Sequence, residues 1–170
     1  MVYQFIEKLQ NPLSELQIKS YYNIKQIYQN WRGYESYRSW VQYKNGNIIN
    51  YLLGSGFGSK IDIGFNATLN NQSYSKILVT HNGYLYLLAK TGFIGLLSYL
   101  SFISISLFTS FKINRSTDDQ LLKLLSKLSI SLIMTVTLIT FVVSGFVSKG
   151  NSSIALIIFG YIAAFRIKSE

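Results

Sequence analysis

His81 is the only histidine in the chain, and imidazole is the side chain whose ordinary pKa lies nearest neutrality. It sits in Val79-Thr80-His81-Asn82-Gly83-Tyr84-Leu85, where the sequence changes character. Upstream it is polar, tyrosine-rich and broken by glycines; from Gly92 onward it is the kind of apolar run that lies in lipid. A neutral imidazole at such a boundary is suited to taking a proton from a hydroxyl. Further upstream, Arg32, Glu35 and Arg38 fall at i, i+3 and i+6 and share a helix face. Guanidinium groups fork onto phosphate oxygens, so the two arginines are candidate anion ligands and Glu35 a candidate orienter of Arg32. The same trio also reads as an exposed ion-pair cluster of small energetic value, and spacing alone favours that plainer role. A third candidate is Gly54-Ser55-Gly56-Phe57-Gly58-Ser59-Lys60. It lacks the GK[ST] ending of a nucleotide-binding P-loop and any βαβ context. It predicts tight turning or close backbone approach, with phosphate cradling by Gly54, Gly56 and Gly58 amides as the sharper reading.

Composition narrows the chemistry. The 170 residues are 49% hydrophobic and 14% charged, with a formal charge of +9 and no cysteine. Thiolate catalysis, disulfides and cysteine-ligated metals are excluded, and one histidine rules out a metal site built from several. No metal and no cofactor is expected. The positive balance suits anionic lipid or a phosphate-bearing substrate better than nucleic acid, because no nucleic-acid motif is present.

The elements that must position these residues follow from the apolar pattern. Asn11-Pro12 marks a helix start, with Leu13, Leu16, Tyr21, Ile24, Tyr28 and Trp31 at roughly helical spacing. That helix either packs on its own domain or lies on a membrane surface with its aromatics at headgroup depth. Asn45-Gly46-Asn47 is a turn and Ile48 to Leu53 a short apolar run; residues 61–76 read as an irregular polar loop. Asn82 is placed to cap the next helix. Three spans are predicted, at about residues 92–111, 128–147 and 152–165. Gly92, Gly95, Ser98, Ser101 and Ser104 form a small-residue stripe suited to close helix contact.

The predicted fold class is all-α: a polytopic membrane protein fragment with a helical segment over residues 1–82 and a membrane segment over 83–170. Lys112, Arg115, Lys123 and Lys127 in the 112–127 loop, with Arg166 and Lys168 at the end, place that loop and the C-terminus in the cytoplasm. Residues 1–82, including His81, Arg32 and the glycine loop, are then extracytoplasmic. That segment holds eight Lys and Arg against four Asp and Glu with no span before it. Either that topology is wrong, or the chain is the C-terminal part of a longer membrane protein.

The chain resembles the bacterial O-antigen ligase and oligosaccharide repeat-unit polymerase superfamily in its C-terminal portion. The likeness is carried by Arg32-Gly33-Tyr34-Glu35, Leu53-Gly54-Ser55-Gly56-Phe57-Gly58, His81-Asn82-Gly83-Tyr84-Leu85 and Lys90-Thr91-Gly92-Phe93-Ile94-Gly95-Leu96-Leu97, in that order. It covers about residues 30 to 105. Each piece is weak alone; order and spacing make the set fairly specific. The resemblance implies a multi-pass protein of the bacterial inner (plasma) membrane that moves glycan from an undecaprenyl-diphosphate carrier to an acceptor glycan. It implies no metal or nucleotide, His81 as base and Arg32 as diphosphate ligand, with Arg38, Glu35, Asn82 and the Gly54–Gly58 loop as substrate-binding residues. The wording around the glycine loop and His81 leans slightly toward polymerases over ligases. Partners implied are the lipid-linked glycan, the acceptor, membrane lipid and the N-terminal part of a split homologue. The competing reading is a non-catalytic truncated remnant or a small glycolipid-binding membrane protein. A flippase component fits less well, because three spans without internal charge build no transport path.

Overall fold

The computed structural model describes residues 23–69, 72–142 and 160. Seven elements follow in order: α1 (Ile24–Gln29), α2 (Trp31–Lys44), α3 (Ile48–Leu53), β1 (Ile61–Leu69), β2 (Gln72–Ile77), α4 (Gly83–Ser116) and α5 (Gln120–Val142). Helices α1, α3 and α4 start where short polar side chains take orphan amides. Asn23 accepts from the Lys25 amide, Asn47 from Asn50 and Asn82 from Leu85.

The first part of the molecule is a small head. Helix α2 lies against the antiparallel hairpin β1–β2, paired from Ile61 opposite Ile77 to Leu69 opposite Gln72, with an irregularity between Asp62 and Ala67. Strand pleating sends alternate side chains to opposite faces. Ile61, Ile63 and Ala67 are accordingly buried, while Asp62, Gly64, Asn66 and Thr68 are exposed. Ile27, Tyr34, Ile63 and Ala67 form the core, with Trp31, Tyr37, Phe65 and Ile77 packed on it. The Tyr34 hydroxyl donates to the Ile63 carbonyl and Arg38 Nε donates to the Asp62 carbonyl at 2.7 Å. The expected all-α class is therefore corrected to mostly helical with one hairpin. Most of the expected 61–76 loop is instead the strands Ile61–Leu69 and Gln72–Ile77, the first marked by apolar and polar residues that alternate from Ile61 to Leu69.

Helices α4 and α5 form the second part, and both are long and apolar enough to cross a membrane. Only 22% and 28% of their apolar windows are buried, unlike the core helix of a soluble domain. The connection is shorter than the expected 112–127 loop: α4 runs to Ser116 and α5 starts at Gln120, so Lys112, Arg115, Lys123 and Lys127 lie on helix ends. Small and polar residues line the seam. Tyr99 meets Thr140 at 2.9 Å, Ser110 meets Ser129 at 3.0 Å, and the Tyr84 hydroxyl donates to the Thr137 carbonyl at 2.9 Å. Such pairs join helices where apolar contact alone gives no preference over lipid. The third expected span, about 152–165, apart from residue 160, and the 12–22 part of the first predicted helix lie outside the described residues.

Helix α4 is broken at Gly92, which has φ 66° and ψ −166°. The break frees the carbonyls of the turn before it, and the glycine loop supplies donors: Ser55 N–H to the Ala89 carbonyl at 3.0 Å and Gly56 N–H to that of Lys90 at 2.9 Å. A Cβ on Gly92 would lie 2.4 Å from the Leu52 carbonyl oxygen, and one on Gly54 2.3 Å from the Lys90 carbonyl. Only glycine permits this backbone-on-backbone contact. Lys90 is buried; its ammonium donates to the Ser59 carbonyl and hydroxyl and lies 5.5 Å from the centre of the Tyr86 ring.

Candidate functional site

The site is built where α2 passes the bend before α4. Residues four apart on α2 work as pairs on two faces. Tyr34 and Arg38 hold the hairpin; Glu35 and Ser39 face the bend. Ser39 Oγ donates to the Glu35 carbonyl at 2.9 Å and lies 3.4 Å from Thr80 Oγ1. Both residues are buried, so the bend is pinned one residue before His81.

Glu35 then takes hold of His81. One carboxylate oxygen, Oε2, accepts the backbone N–H at 3.2 Å and the Nδ1–H at 2.5 Å. The Glu35 side chain is 5% exposed and that of His81 41%. A buried carboxylate that occupies Nδ1 fixes the tautomer and leaves Nε2 as the nitrogen for an incoming group. The imidazole pKa is raised, first by the hydrogen bond to Glu35; burial and the nearby Arg32 charge pull the other way. Asn82 completes the setting by capping α4, its side chain accepting the Leu85 amide at 3.1 Å.

The sequence-derived candidates separate into two groups. Arg32, Glu35, His81 and Asn82 come together: Arg32 lies one turn before Glu35 and within electrostatic reach of the imidazole. Among the described residues Arg32 makes no side-chain hydrogen bond or ion pair. Arg38 is spent on the hairpin, and Gly64, with φ 77°, leaves room for its guanidinium, which a Cβ there would meet at 3.1 Å. In the glycine loop, the Gly54 amide donates to Asn50 and the Gly56 amide to Lys90, so these two donors hold backbone rather than facing an anion. Glu35 was expected beside Arg32 and is found bonded to His81. Thr80 and Ser39 were missed altogether. Only the i, i+4 spacing of Glu35 and Ser39 hinted at one face, and nothing local pairs α2 with a bend 46 residues away.

No family model, curated protein or solved structure matches the chain. The site therefore stands on its own geometry: a carboxylate-held imidazole, a neighbouring guanidinium, and a long apolar helix beginning two residues later.

Proposed function

We propose that the chain is the C-terminal part of a glycosyltransferase of the bacterial inner membrane, with residues 1–82 extracytoplasmic, that moves or polymerises undecaprenyl-diphosphate-linked oligosaccharides. The observation that carries this reading is Glu35 Oε2 held 2.5 Å from His81 Nδ1, beside Arg32 and at the start of an apolar helix. In the proposed step His81 Nε2 takes the proton of an acceptor sugar hydroxyl. The hydroxyl oxygen bonds to the anomeric carbon of the donor glycan as the bond from that carbon to the diphosphate oxygen breaks. The diphosphate leaves with the electron pair, and Arg32 offsets its charge in bidentate fashion. Glu35 balances the imidazolium that forms. The proton then passes to water, which restores the base.

The test is turnover of a lipid-diphosphate-linked oligosaccharide by the protein co-expressed with the product of the upstream reading frame, scored by glycan chain length and released undecaprenyl diphosphate. His81→Ala is expected to lower turnover by about 10²- to 10⁴-fold, the usual worth of a positioned general base. Equal turnover by His81→Ala would overturn the assignment. Binding of the donor without turnover by wild type would support the glycolipid-binding reading instead.

A further inference from the structure

The apolar surface of the molecule does not end where α4 does. On α4, residues 86–90 and Gly92 are buried against protein, and the open apolar face begins at Phe93, Ile94 and Leu97. At that same level the carbonyl of Leu52 abuts Gly92, so α3 lies beside the break. Helix α3 presents a second open apolar face: Ile48 is 76% exposed, Ile49 61% and Leu53 60%, with Phe57 of the glycine loop at 58%. In a water-facing element this pattern is unfavourable, and these four side chains fall within ten residues of one another. Residues 45–59 carry no charge, and exposed Lys44 and Lys60 bracket them. An apolar segment with basic side chains at its ends matches an element lying in the headgroup boundary of an anionic bilayer. The backbone agrees with that depth. Where water is scarce every freed carbonyl needs a donor, and the Ala89 and Lys90 carbonyls receive theirs from Ser55 and Gly56.

We propose that α3 and the glycine loop are a lipid-seated element: Ile48, Ile49, Leu53 and Phe57 enter the outer hydrocarbon edge, while Lys44 and Lys60 meet anionic headgroups. This rests on the membrane reading of α4 and α5. It gives the glycine loop a role other than phosphate binding and makes the bilayer the partner that fixes the head at the surface.

Absence of cysteine from the chain makes the test direct. Single variants Ile49→Cys, Leu53→Cys, Ile105→Cys and Asn66→Cys are labelled with an environment-sensitive fluorophore and reconstituted in phosphatidylglycerol-containing vesicles. Some vesicles carry shallow and others deep doxyl quenchers on the acyl chain. The expected result is a blue shift with loss of emission to the shallow quencher at 49 and 53, loss to the deep quencher at 105, and neither at 66. Quenching at 105 with water-like, unquenched emission at 49 and 53 overturns the α3 proposal and leaves the membrane reading standing. A blue shift at 49 and 53 that no lipid quencher reaches also overturns it, since protein then covers the face. Failure to quench at 105 removes the membrane reading itself and this proposal with it.

Discussion

The head and the helical hairpin both bury an apolar core but differ in what they leave outside. In the head, Ile27, Tyr34, Ile63 and Ala67 are inside and Asp62, Asn66 and Lys76 are outside. Between α4 and α5, Ser106, Ser110, Ser126, Ser129 and Thr140 are buried beside Ile103, Ile113, Ile133 and Val136, while Ile105, Phe108, Leu121 and Leu138 are outside. Water drives the first arrangement, because apolar surface leaves it at about 25 cal/mol per Å². The second, with its open apolar face, is what a helix pair able to span a membrane shows, since in lipid buried polar groups gain by finding each other. On α4 the open apolar face begins just after Gly92, at Phe93 and Ile94.

Disturbing the junction is expected to cost most. Gly92→Ala puts a side chain at a left-handed φ and into the Leu52 carbonyl, for an expected loss of about 3–5 kcal/mol from strain and overlap together. Thermal unfolding in detergent, followed by the aromatic signals of the head, checks it; a loss below about 1 kcal/mol would show that the break is not rigid. Next is the head's water-driven core. Ile63 is fully buried, and Ile63→Ala is expected to cost about 2–5 kcal/mol in the same measurement. The seam in lipid should be far more forgiving: Ser129→Ala, which removes the partner of Ser110, is expected to cost only about 0.6 kcal/mol. Similar losses for Ile63→Ala and Ser129→Ala would erase the contrast.

The smallest change sharpens the site itself. Glu35→Gln keeps the shape but removes the charge facing His81, leaving Arg32 and burial to act alone. Wild-type turnover is expected to rise with pH through a pKa above the ordinary 6.5, because the base must be neutral. In Glu35→Gln that rise moves to lower pH. The sign for stability is the reverse. A raised imidazole pKa contributes stability below the unfolded value and loses it as pH climbs through the folded one. A profile unmoved by Glu35→Gln would detach the carboxylate from the base.

Much of the helical part was readable because a solvent change leaves a long-range mark. The spans at about 92–111 and 128–147 were placed from uncharged runs, and α4 and α5 include the first and much of the second. Asn82 as a cap was local chemistry and could be read directly. The charged 112–127 stretch reads as a loop, yet α4 runs to Ser116 and α5 starts at Gln120, because Lys and Arg stems continue a helix as readily as they end one. The hairpin was missed although Ile61, Ile63, Phe65 and Ala67 alternate with polar residues. The many asparagines there outweighed the period. The Glu35–His81 pairing could not be read: one face of α2 is predictable, but the element it meets lies 46 residues on and depends on the tertiary fold. The third span, apart from residue 160, and most of the first predicted helix fall outside the described residues.

The break at Gly92 also acts as a gauge. Helix α4 advances from Gly83 to Gly92 before its apolar face opens, and at 1.5 Å per residue that is roughly 14 Å along its axis. In the proposed setting the imidazole stands that far above the oily layer, beyond a headgroup zone about 5–7 Å deep on each side. A reacting bond must be offered at that height: too tall for a phosphate at the lipid surface, and suited to the first sugar on a two-phosphate stalk. Adding or removing one turn before Gly92 would retune which link in such a chain is within grasp.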